Sequence, residues 1–226
     1  MLMAHHPQPK AVVFDLDGLM FNTEELYQDV GGEILRRRGK QFEADLLDAM
    51  MGRPAPIALQ LMIDAHQLDA TVDQLAAETD EIFAVLLDER LATMPGLLEL
   101  LAALEAAGIP KAIATSSGPE FVQTVLGKFD LAPRFQFILT CQDVPQGKPH
   151  PEIYQLAARR LGLAPGEVLV LEDSQNGCRA AVAAGAVTVA VPAGHSRRHD
   201  FAGAALVATS LADPRLFERL GLAPPS

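Results

Sequence analysis

Cysteines, cations and long apolar runs are all scarce in this sequence. The two cysteines, Cys141 and Cys178, lie far apart, with no CxxC or histidine spacing around them. That excludes a disulfide framework and a cysteine-built zinc site. It predicts two reduced thiols in a cytoplasmic protein. No stretch of about 18 apolar residues occurs, so no membrane-spanning helix is expected. Residues 1–10 have no apolar core of signal-peptide length. Lys and Arg total 18 against 29 Asp and Glu, a formal net charge of −11. A chain so short of cations is a poor partner for nucleic acid or an anionic membrane. Any anionic substrate must then be captured by a local cationic site. The main basic cluster, Arg36-Arg37-Arg38 before Gly39, reads as the cationic end of a helix with a glycine beyond it. Internal repeats and low-complexity segments are also missing.

What is there is a chain of 226 residues, 49% of them hydrophobic. That excludes a disordered chain and suffices for a substantial core, in one large domain or a domain with an insertion. Residues 11–18, Ala-Val-Val-Phe-Asp-Leu-Asp-Gly, organise it. Ala11 to Phe14 is the apolar, β-branched kind of run that makes a buried parallel strand. It ends in Asp15 and Asp17. Two carboxylates at a strand end repel each other and need a cation, a shared proton or good solvation. A cation there would be a hard ion such as Mg²⁺ on oxygen ligands. Asp and Gly are also ordinary turn residues, so these eight residues alone leave a plain turn open.

After Gly18 the pattern turns helical. Asn22 with Glu25 resembles a capping box opening a helix over 23–38. Further helical patterns cover about 43–51, 55–67 and 71–91, without a convincing strand. From Pro95 the pattern alternates. Helices at 96–107, 119–128, 151–161 and 175–184 are interleaved with strands at 110–114, 136–139, 167–171 and 187–191. Residues 204–209 could add a strand, and 210–220 a last helix. This alternation predicts a parallel sheet with helices on both faces. The expected fold is α/β, a Rossmann-like three-layer parallel sheet core with an inserted all-helical cap domain. The core takes residues 1–20 and 91–226, and the cap residues 21–90. The crossings near 18–22 and 91–95 are hinge candidates.

In open α/β sheets ligands sit at the carboxyl ends of the strands. After the first strand come Asp15 and Asp17. After 110–114 come Thr115, Ser116 and Ser117. Beyond 136–139 the chain runs to Lys148, where Pro149 and Pro151 restrict the backbone. After 167–171 come Glu172 and Asp173, with Ser174 as a helix cap. Ser117 with Glu120 resembles another capping box, with Pro119 in the first turn. A helix start there would favour an anion. Each group alone suits a turn, a cap or a surface lysine. Four strand ends that jointly suit a metal and a phosphate point to one site.

These residues resemble a known family. Asp15-Leu16-Asp17-Gly18, Thr115, Lys148 and Glu172-Asp173 match, in order, the four motifs of the haloacid dehalogenase superfamily. Lys148-Pro149-x-Pro151 and Glu172-Asp173-Ser174-x-x-Gly177 are similar to its branch with a helical cap, which includes β-phosphoglucomutase and small-molecule phosphatases. The resemblance implies Asp15 as the nucleophile that forms an aspartyl-phosphate, and Asp17 as general acid and then base. It implies Mg²⁺ held by the Asp15 carboxylate, the Asp17 backbone carbonyl, Asp173 and Glu172, the last directly or through water. It implies Thr115, Ser116 and Lys148 around the phosphoryl oxygens, and Arg53 as a substrate contact from the cap. Met20, Phe21 and Tyr27 are candidates for the site's mouth, with core packing the expected role of at least one of them, and Asn176 is a candidate for holding the Asp173 loop. Asn22 departs from the aspartate that relatives commonly carry there.

Dehalogenases of the superfamily lack the second aspartate, so Asp17 favours phosphate esters. The expected activity is a Mg²⁺-dependent phosphatase acting on a small phosphorylated metabolite, such as a sugar phosphate or a nucleotide-like phosphate. The alternatives are a β-phosphoglucomutase-like mutase and a non-catalytic binder of a phosphorylated metabolite. The chain is read as a monomer, although nothing in the sequence fixes the oligomeric state.

Overall fold

A computed structural model describes residues 8–50 and 55–224. Among them the chain forms two compact units. One takes the chain up to Asn22 and from Ala92 onward, and the other is Thr23–Leu91.

The first unit is built on six parallel strands: β1 (Ala11–Phe14), β2 (Lys111–Ala114), β3 (Ile138–Leu139), β4 (Val168–Glu172), β5 (Val187–Ala190) and β6 (Leu206–Val207). Their order across the sheet is β3-β2-β1-β4-β5-β6. The registers set Phe14 beside Ile113 on one side and beside Leu171 on the other. β1 is apolar throughout, and β4 is apolar up to Glu172 at its carboxyl end, because both faces of the sheet are covered. The helices between strands are α5 (Leu97–Ala106), α6 (Pro119–Gly127), α7 (Glu152–Leu161) and α8 (Gln175–Ala183), with α9 (Pro214–Leu220) last. The chain winds outward from β1 to β3, then returns to β4 beside β1 and winds the other way. With right-handed crossovers this reversal puts α5 and α6 on one face and α7 and α8 on the other. Alternation along the strands sends Val13, Ala112, Ala114, Val168 and Val170 to the face packed by Ile153, Tyr154 and Ala157 of α7 and by Ala180 and Ala181 of α8. The result is a Rossmann-like three-layer fold. Its topological switch point, where ligands of such sheets bind, falls between β1 and β4.

The second unit is helical: α1 (Thr23–Arg36), α2 (Ala44–Met50), α3 (Ala55–His66) and α4 (Val72–Arg90). Thr71 and Gln74 form a true capping box on α4. Tyr27 stacks on Phe83 with ring centroids 4.1 Å apart, joining α1 to α4. The basic run does close α1, and its charges are also paired. Arg36 and Arg37 meet Glu33, and Arg37 and Arg38 meet Glu78. Among the described residues no helix is long and apolar enough to cross a membrane.

The division falls after Asn22 and before Ala92, where the two crossings pair with each other inside the first unit. Several other expectations are corrected. The Asn22 side chain accepts from Ala92 N at 2.8 Å, Asn22 N donates to Ala92 O at 3.2 Å, and Met94 N donates to Met20 O at 2.8 Å. Asn22 therefore clamps the crossings, a partner 70 residues away that no capping pattern reveals. Met20 and Phe21 are buried, and Phe21 stacks on Phe129, so they are packing residues. Tyr27 is half exposed. The two edge strands are two residues each, shorter than the expected 136–139 and 204–209. The last helix starts only at Pro214, capped by Asp213.

Candidate active site

Asp15 follows β1, and its N–H completes the ladder by donating to Leu171 O at 3.0 Å. Leu16 and Asp17 leave the sheet, and Gly18 turns the chain at φ +72°, a left-handed conformation that favours glycine. The two aspartates are thereby sent to different partners. The Asp15 carboxylate is buried and accepts from Lys148 Nζ at 2.5 Å. The Asp17 carboxylate accepts a short hydrogen bond from the Ser117 hydroxyl. That corrects the reading of Ser117 as a helix cap. Gly118 is the N-cap of α6, without a side-chain cap bond, and the Ser117 side chain serves Asp17. The Ser117 N–H donates to Thr115 Oγ1 at 3.1 Å, which shapes the loop after β2. Thr115 is buried at the strand end and Ser116 is exposed beside it.

Lys148 comes from the loop before α7. Its side chain is 6% exposed, and Nζ donates to Asp15 Oδ1, to Glu172 Oε1 at 2.6 Å and to Ala114 O at 3.0 Å. A buried ammonium is tolerated only when its protons are matched, and this one bridges β1, β2 and β4. Glu172 ends β4, fully buried. Its Oε2 accepts from the Ser174 N–H and hydroxyl, while Ser174 Oγ accepts from Gly177 N to cap α8. Tyr154, on the inner face of α7, donates to Glu172 Oε1 at 2.5 Å. Tyr154 is a site residue that sequence reasoning missed. Its neighbours Ile153, Ala157 and Ala158 give α7 an apolar face, and a tyrosine on such a face reads as core.

Burial pushes the Asp15 carboxyl well above its ordinary range. Lys148 pulls it down, and Glu172 and Asp17 push it up further. Burial also works against the Lys148 charge, but Asp15 and Glu172 outweigh it and hold the ammonium above the usual lysine range. Burial and the same carboxylates push the Tyr154 hydroxyl well up, so it stays a donor.

Among the described residues, Asp15, Glu172 and Asp173 are buried and place carboxylate oxygens within 4.8 Å of one another. With Asp17 nearby, four carboxylates face one ammonium. The donor set is all oxygen and short of positive charge, which fits a hard divalent cation. The Asp17 carboxylate is outside the convergent three. Asn176 is exposed. Arg53 lies outside the described residues.

The chain belongs to the haloacid dehalogenase-like hydrolases: a family model of that description matches residues 9–185. It is 32% identical over 176 residues to a phosphorylated carbohydrates phosphatase of Thermotoga maritima, covering 78% of this chain and 82% of that protein. It is 31% identical over 214 residues to a bifunctional riboflavin kinase/FMN phosphatase of Arabidopsis thaliana. That match covers 94% of this chain and 56% of the relative, so the chain spans little more than half its length. A crystal structure of a CbbY variant from Rhodobacter sphaeroides in complex with xylulose-(1,5)-bisphosphate is similar at a TM-score of 0.74 and 28% identity, covering 91% of this chain and 96% of that one.

Proposed function

We propose that the chain is a Mg²⁺-dependent phosphatase that hydrolyses a small phosphate monoester through an aspartyl-phosphate on Asp15. One observation carries the reading: Asp15 and Asp17, one residue apart, sit in different environments. Asp15 is buried on Lys148 within the acidic cluster, and Asp17 is partly exposed on a serine hydroxyl. Two carboxylates held apart in this way can take two roles. Asp15 attacks phosphorus and forms the P–O bond as the ester bond to the leaving alcohol breaks. Asp17 gives its proton to that alcohol, then accepts one from the water that hydrolyses the acyl phosphate. Thr115, Ser116 and Lys148 hold the phosphoryl oxygens. Mg²⁺ would be held by the Asp15 and Asp173 carboxylates and the Asp17 backbone carbonyl. It would supply the positive charge that phosphoryl transfer to a carboxylate needs. Glu172 gives its oxygens to Lys148, Tyr154 and Ser174 and so holds the lysine, and it would reach the ion directly or through water.

The relatives named above support a phosphorylated sugar or a similar small molecule as substrate. A panel of such compounds should release inorganic phosphate with Mg²⁺, and release should stop in excess chelator. Isomer formation without phosphate release would favour a mutase. Full activity after exhaustive chelation would sink the metal assignment.

A further inference from the structure

We propose that Tyr154 is a positioning residue, whose buried hydroxyl fixes the Glu172 carboxylate and, through it, the aim of Lys148 at Asp15. The inference rests on the phosphatase reading above. A carboxylate offers about four lone-pair sites. On Glu172 these meet four donors. Oε1 takes Tyr154 at 2.5 Å and Lys148 at 2.6 Å. Oε2 takes the Ser174 N–H at 3.3 Å and the Ser174 hydroxyl at 3.1 Å. Glu172 is fully buried, so these donors and not water set its orientation.

The four donors do different things. Ser174 is a near neighbour in the chain and holds Oε2. Lys148 is the group that must be aimed, on a flexible four-carbon stem. Tyr154 is the rigid donor. Its ring is 2% exposed and packed with Ile153 and Ala157 against the sheet, which leaves only the hydroxyl rotor free. One loop and the helix after it thus supply both the lysine and the group that sets its acceptor. Without the hydroxyl, Oε1 keeps Lys148 alone, and the pair can slide toward the Asp15 and Asp173 oxygens. The Lys148 ammonium also lies 4.9 Å from the Tyr154 ring centroid. Tyr154→Phe keeps that ring contact and removes the hydroxyl alone.

Losing an outer partner of a charged site commonly costs about 10 to 100-fold in activity. Tyr154→Phe should lower kcat by a factor in that range. KM should change little, because Thr115 and Ser116 still hold the phosphoryl group. The loss should not add to that of Glu172→Ala, which removes the acceptor altogether: the double variant should match the Glu172→Ala single, since the tyrosine acts only through the glutamate. A wild-type kcat in Tyr154→Phe, or full additivity with Glu172→Ala, would overturn the proposal. A second measurement needs neither metal nor substrate. In metal-free protein with ¹⁵N-labelled lysine, the buried Lys148 ammonium should give a slowly exchanging signal, assigned by its absence in Lys148→Met. Tyr154→Phe should shift or broaden it, and an unchanged signal would also overturn the proposal. If the wild type hydrolyses no phosphate ester, the phosphatase reading fails by itself, and the ammonium signal still decides whether Tyr154 positions Lys148.

Discussion

Gly177→Ala tests the acidic cluster with a single methyl group. Gly177 stands in the first turn of α8, directly over Glu172. A Cβ there would lie 1.8 Å from Glu172 Oε1, 1.9 Å from Cδ and 2.1 Å from Oε2. Non-bonded carbon and oxygen atoms approach to about 3.3 Å. The carboxylate must therefore retreat by roughly 1.5 Å. It is held by Tyr154, Lys148 and Ser174 and is wholly buried, so the retreat strips its donors. Breaking a buried charge pair costs about 3 to 5 kcal/mol. Alanine returns about 1 kcal/mol of helix preference. The net loss of about 2 to 4 kcal/mol corresponds to a fall in Tm of roughly 4 to 16 °C for a chain of this size. Turnover should fall about 10 to 100-fold as Lys148 loses its partner. Thermal unfolding and phosphate release measure the two effects. In a Glu172→Ala background the obstacle is gone, and Gly177→Ala should instead raise Tm, by roughly 2 to 4 °C. A Gly177→Ala protein with wild-type Tm and turnover would refute the reasoning. So would an equal loss of stability without the glutamate side chain.

Asp15→Asn should abolish turnover and leave the fold intact, and Tm should hold or rise because one of four crowded carboxylates is neutralised; wild-type-like phosphate release would sink the covalent assignment. Asp17→Ala should slow an alkyl phosphate far more than a nitrophenyl phosphate, since general acid catalysis is worth about 10² to 10⁴-fold and nitrophenolate leaves without a proton. The nitrophenyl substrate should show a burst and then slow turnover, and equal losses on both substrates without a burst would remove Asp17 from proton transfer. Asp213 caps α9 and accepts from Arg215 and Thr209, which hold its carboxyl well below the usual range. A depressed folded value means stability that is present above the unfolded pKa of about 3.9 and lost as pH falls through the folded one. Asp213→Asn should therefore cost about 1.5 to 3 kcal/mol near pH 7. The gap from wild type should narrow below about pH 4, and a gap that stays constant in acid would contradict the ion-pair account.

The sheet and the main site groups were legible because each depends on short range in the sequence. Ala11 to Phe14 and residues 168–171 are apolar at every position, and the acidic pairs come directly after them. Parallel winding then forces the ends of β1 and β4 together. The illegible parts depend on partners far along the chain. Asn22 has the spacing of a cap and serves as a clamp on Ala92. Ser117 has the spacing of a cap and holds Asp17, 100 residues earlier. Tyr154 has the periodicity of a core residue, and no pattern shows where its hydroxyl points. Gly177 was visible as part of a motif, but its reason is a carboxylate placed by another element. The edge strands were overestimated because alternation extends beyond the residues that an edge can pair.

The clamp at Asn22 and Ala92 has a consequence for how such a chain can be altered by insertion or deletion. Both ends of the helical segment leave the first unit from adjacent, mutually hydrogen-bonded residues. To the sheet, the 69 residues of Thr23–Leu91 amount to one loop whose ends are already closed. Loop-closure entropy grows only with the logarithm of length, about 0.6 kcal/mol for each doubling. A short turn or a much larger domain spliced between the same two residues would therefore burden the core by similar amounts. The helical segment can then be lost, exchanged or remodelled during evolution with little penalty to the sheet that carries the chemistry.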